Sequence, residues 1–125
     1  MKLTDSHCHL DFTEFDNCRK QLISECIASN IKQIIIPSVE KKQWSSVISC
    51  CQQSSTMTLH YGLGIHPWYI EQASEQDLLE LPNWVNNNAP IAIGEIGLDG
   101  QIGNMEKQQH FFEQQLAVAK KSNLP

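Results

Sequence analysis

Apolar positions along the chain alternate between two rhythms. Short, nearly continuous apolar runs read as strands, and they fall at 3–11, 31–38, 57–66 and 91–99. The second contains three consecutive isoleucines, Ile34 to Ile36, a β-branched run suited to a strand covered on both faces, as in a parallel sheet. Between these runs, apolar residues recur every three or four positions, the spacing of one helix face. Phe15, Cys18, Leu22, Ile23, Cys26 and Ile27 mark a first helix, capped by Asp11 or Thr13 and leaving at Asn30. Trp44, Val47, Ile48 and Cys51 mark a second. Ser74-Glu75-Gln76-Asp77 has the form of a capping box and opens a third through Leu78, Leu79 and Leu81, which Pro82 should break or restart. A fourth runs over about 105–122, with Phe112, Leu116 and Ala119 on its apolar face, widened by Phe111 and Val118. The order is βαβαβαβα, which specifies a parallel sheet with right-handed crossovers.

Polar residues break this pattern at one edge. His7 and His9 lie at the end of the first strand, and in extended chain they share a face with Asp5, about 7 Å apart. Two imidazoles so placed make half a divalent-metal site, or are histidines hydrogen-bonded at a strand end. Glu95 follows the apolar Ile91-Ala92-Ile93-Gly94. Buried and unpaired it would cost several kcal/mol, which a metal offsets; otherwise it is an exposed loop start. His66 is placed for a substrate phosphate or a structural hydrogen bond, and Asp99 for orienting a ligand or capping its loop. Active sites of parallel α/β folds gather at this edge. His60 and His110 read as structural and solvent-facing, and the three tryptophans as core or rim packing rather than base-stacking platforms.

Length and composition narrow the picture. A chain of 125 residues suits one domain. No apolar run is long enough to span a membrane, and no secretory signal is visible. The five cysteines form no CxxC pair, so they read as buried thiols in a reducing cytoplasm. A net charge of −5 argues against a broad basic surface for nucleic acid, yet bound cations can supply positive charge locally to a phosphodiester.

Taken together, Asp5-Ser6-His7-Cys8-His9-Leu10-Asp11, Gly64-Ile65-His66-Pro67-Trp68 and Ala92-Ile93-Gly94-Glu95-Ile96-Gly97-Leu98-Asp99 resemble motifs of the TatD family of metal-dependent deoxyribonucleases, and 109–116 resembles its fourth helix. The resemblance implies a TIM-type (β/α)8 barrel of about twice this length, of which residues 1–125 supply four βα units as a single domain, the N-terminal half. It implies that His7 and His9 bind one metal and Glu95 bridges two, with magnesium or manganese expected and zinc admissible. Two further histidines and an aspartate of the family site come from strands beyond the fourth. The implied activity is phosphodiester cleavage in DNA by a metal-activated water, with His66 and Asp99 on the substrate. Another metal-dependent hydrolysis, of amides or lactones, stays open, as does an inert truncated chain. Four strands alone leave two open edges, so self-association or poor solubility is expected.

Overall fold

The computed structural model describes all residues 1–125. Four strands form one parallel sheet, β1 (Leu3–Asp5), β2 (Ile31–Pro37), β3 (Thr58–Leu63) and β4 (Ala92–Ile93), in the spatial order β1-β2-β3-β4. Four helices connect or follow them, α1 (Arg19–Ala28), α2 (Trp44–Gln53), α3 (Glu75–Asn88) and α4 (Met105–Ser122). Because each strand pairs with its successor and crossovers are right-handed, the helices fall on one face of the sheet. This winding is that of a barrel wall, with its inner face left uncovered. Ile34 and Ile36 point to the helices and are buried, while Gln33 and Thr58 are exposed and Ile35 is only half-buried. The isoleucine run therefore has one covered face, because this chain supplies no layer on the other side.

Two apolar clusters hold the helices down. One joins Leu10, Ile23, Ile34, Ile36 and Val47. The other joins Trp44, Leu63, Leu81, Val85, Phe111 and Ala119. Trp84 packs edge-on against Trp44 at 5.6 Å.

Several expectations from the sequence are corrected. The strands are shorter than their apolar runs, because the chain leaves the ladder to form the loops of the sheet's C-terminal edge. Neither Asp11 nor Thr13 caps α1, whose preceding residue is Cys18 with no side-chain cap. Arg19 ties that segment instead, its guanidinium donating to the carbonyl oxygens of Leu10 and Phe12 at 2.7 and 2.9 Å. Pro82 neither breaks nor restarts α3, which runs through it. An interior proline costs about 3 kcal/mol, and burial of Leu78, Leu81 and Val85 on either side of it offsets that. The start of α3 is as expected, with the Asp77 carboxylate accepting from the Ser74 N–H at 2.8 Å.

The buried face of α4 is Gln108, Phe111, Gln115 and Ala119, whereas Leu116 is 44% exposed. Two glutamines occupy core positions because their amides serve backbone groups of the loops above. Gln115 Oε1 accepts from Ile65 N–H at 2.7 Å, and its Nε2 donates to Ile65 O at 3.2 Å. Gln108 Oε1 accepts from Asp99 N–H at 2.8 Å, while its Nε2 faces the carbonyls of Asp99, Ile102 and Gly103.

Candidate metal centre

Every functional side chain at this centre sits just past a strand. β1 ends at Asp5, so His7 and His9 lie beyond it rather than on an extended strand. Asp5 does not join them; its carboxylate accepts from the His7 N–H at 3.0 Å and closes the bend. Cys8 N–H donates to Ile35 O at 3.1 Å, holding this segment beside β2. The bend brings the two imidazoles together edge to face, with ring centroids 5.2 Å apart. Glu95 follows β4 by two residues, and its backbone N–H donates to Ser38 O at 2.8 Å. Ser38 is fully buried, and its hydroxyl accepts from Gly64 N–H at 2.9 Å. The loops after β2, β3 and β4 are thus laced together through one serine.

Gly64 is required here for space. A β carbon on it would lie 2.7 Å from Glu95 O and 2.8 Å from the Gly94 carbonyl carbon. The loop carrying His66 therefore packs directly on the backbone that carries Glu95.

The side chains converge on the Glu95 carboxylate. His7 Nε2 and His9 Nε2 both approach Oε1, the latter at 3.5 Å. His66 Nε2 lies 3.8 Å from the other oxygen, Oε2. Ligand atoms of His7, His9 and Glu95 all fall within 4.8 Å of one another. Ligands around one ion at about 2.1 Å lie roughly 3–4 Å apart, so small rotations of these side chains would enclose a divalent cation. Two imidazole nitrogens with a carboxylate are a donor set for such ions. The residues present fit a metal.

His66 differs from the other two. Its Nδ1 accepts from the Trp68 N–H at 3.1 Å, so the neutral ring carries its proton on Nε2, the atom turned to Glu95. In that tautomer it is a hydrogen-bond donor to an oxygen in the site. Asp99 is brought to the rim but not into the cluster. Its Oδ1 accepts from Gln101 N–H and its Oδ2 from the Trp68 indole, at 2.8 and 2.9 Å. Of the two roles open to it from sequence, the geometry shows loop capping. The Trp68 bond holds its carboxyl below the usual carboxylate range.

Sequence reasoning did not anticipate Ser38, Gln108 or Gln115 as supports of this centre. The signal available was a pair of glutamines seven residues apart on an otherwise apolar helix face.

A parallel barrel wall with a histidine pair and a carboxylate at its C-terminal edge defines the class of half (β/α) barrels with a candidate metal site where such folds gather their chemistry. Comparison with known proteins is specific. The sequence profile described as TatD related DNase matches residues 4–125, and the chain belongs to that family. It is 30% identical to the uncharacterized metal-dependent hydrolase YjjV of Escherichia coli, over 99% of this chain and 49% of that protein. An uncharacterized metal-dependent hydrolase of Haemophilus influenzae is 32% identical over 100% of this chain and 51% of that protein. Human deoxyribonuclease TATDN3 is 26% identical over 98% and 50% respectively. The crystal structure of YjjV superposes with a TM-score of 0.89, covering 98% of this chain and 48% of that one. The chain thus spans about half the length of the relatives it matches, and its four strands are those of a half-barrel. No helix is long and apolar enough to cross a membrane, and all five cysteines are free thiols.

Proposed function

We propose that this chain is the metal-holding half of a barrel hydrolase that cleaves phosphodiester bonds in DNA. The observation that carries the reading is the convergence of His7 Nε2, His9 Nε2 and the Glu95 carboxylate within 4.8 Å at the C-terminal edge of the sheet. The family's description and the name of the human relative supply the substrate class. His7, His9 and Glu95 would hold a divalent ion, with both imidazoles facing the Glu95 carboxylate and His66 facing its Oε2. Magnesium or manganese suits a site built on a carboxylate, and the imidazoles also admit zinc. A bound divalent ion supplies charge neutralisation and a water of lowered pKa at neutral pH.

The chain's own residues do the rest. His66 donates a hydrogen bond through its Nε2–H to a non-bridging oxygen of the phosphodiester and orients it. The Ser38 and Gln115 bonds fix the backbone of the loops that carry Glu95 and His66, so the site is held before substrate arrives. Glu95 is the sole carboxylate in the cluster. With its single carboxylate already committed to metal, the isolated chain is expected to bind cations and turn over poorly.

Calorimetric titration with Mn2+ tests this directly. Saturable binding that is lost in both His7→Ala and Glu95→Ala is the expected result; weak binding indifferent to both substitutions would mean an inert chain. Activity is then read on bis(p-nitrophenyl) phosphate with the other half of a TatD-family barrel supplied in trans. Hydrolysis of an amide or lactone in place of this diester would move the assignment to another substrate class.

A further inference from the structure

Trp68 is the one exposed tryptophan of the three. It is 63% exposed, and yet it is held at several points. Its backbone N–H donates to His66 Nδ1, and its indole N–H donates to Asp99 Oδ2 at 2.9 Å. Asp99 is itself fixed, through Gln101 N–H on its other oxygen and through the buried Gln108 on its backbone. The polar edge of the indole is therefore satisfied within the protein while most of the residue remains exposed. The His66 ring meets it edge-on at a centroid distance of 5.6 Å, and His66 in turn lies 3.8 Å from Glu95. One side chain separates this rigid aromatic plane from the metal cluster.

We propose that Trp68 is the stacking platform for a planar ring of the substrate, the nucleobase next to the phosphodiester that is cut. This rests on the phosphodiester reading above and names how the substrate is gripped. Two observations favour it. An indole immobilised in advance loses little freedom when a ring stacks on it. This chain carries a net charge of −5, which argues against a broad basic surface for holding phosphates and favours attraction of a polyanion through bound cations and the bases. Stacking on an aromatic side chain tolerates any base, because each has a π-face.

The test uses the 125-residue chain with Mg2+ at low salt and two fluorescein-labelled probes, an octathymidylate and an abasic deoxyribose-phosphate octamer of equal length and charge. Anisotropy should show the octathymidylate bound about tenfold or more tightly than the abasic strand. Trp68→Ala should abolish that preference while leaving abasic binding and the far-UV circular dichroism spectrum unchanged, and Trp68→Phe should retain most of it. Equal affinity of the wild type for both strands, or a preference that survives Trp68→Ala, overturns the stacking role and leaves the phosphodiester reading standing. Failure of the wild type to bind either strand overturns both.

Discussion

Cys51 lies half-buried under the sheet, its Sγ hydrogen-bonded to His60 O at 3.5 Å. Burial pushes its thiol up to about 12. The reactive species is the thiolate, so native protein at pH 8 is expected to leave Cys51 unalkylated by iodoacetamide, whereas urea exposes it. Mass spectrometry of the digested protein checks this site by site. Asp99 shows the opposite shift, held down first by the Trp68 indole and then by Gln101 N–H. A carboxyl whose folded pKa is depressed contributes stability above its unfolded value and loses it as pH falls through the folded one. The Trp68–Asp99 bond should thus persist below pH 3.8, the ordinary aspartate value. Tryptophan emission during acid titration, followed against far-UV circular dichroism, reads the midpoint. In Asp99→Asn the step should disappear.

At the scale of elements, the support of the site runs through α4. Replacing Gln115 with leucine keeps the volume but strips Ile65 N–H and C=O of their partners in a fully buried position. Each unsatisfied buried group costs about 1–3 kcal/mol, so a loss of about 2–6 kcal/mol in urea denaturation is expected. An unchanged midpoint would show that the glutamine is dispensable. This is also where legibility from sequence ended. The limits of α4 were readable, because a three-to-four-residue period persists over 105–122. Its buried face was not, since hydrophobicity alone assigns Leu116 inward and Gln115 outward, and the loop carbonyls and N–H groups that reverse this lie far away in the chain. The strands are legible in the sequence, yet each is shorter than its apolar run. The run 91–99 looks uniformly strand-like, yet only Ala92 and Ile93 pair with β3, and the departure after them is what delivers Glu95 to the edge. His7, His9 and Glu95 were visible as chemistry, while the bend at Asp5 that joins the two histidines was not.

For the molecule as a whole, the sheet has two outer strands and one bare face. β1 has no neighbour beyond it, and Leu3 is exposed there. On β4 the outward Ile93 N–H is already taken by Pro125 O at 2.9 Å, so that edge is partly blunted. Parallel sheets are ordinarily covered on both faces, and unpaired edges recruit strands. We therefore expect the isolated chain to self-associate at tens of micromolar, a range of about 10–100 µM in which exposed edges promote assembly. Light scattering that reports a stable monomer there would count against it. Supplying the complementary half of a family barrel should suppress that association by covering the same surface.

The contact at Gly64 carries one more consequence. Because its backbone rests against Gly94 and Glu95 with no room for a β carbon, the loops after β3 and β4 meet as a hard stop rather than through compressible side chains. Exchanging a small ion for a larger one cannot spread those two loops evenly apart. With an ion held as proposed, the adjustment would fall on His7 and His9, which ride on a bend outside the sheet. Selectivity among ions would then be set by how far two imidazoles can turn, and the carboxylate would be the fixed point against which they are measured.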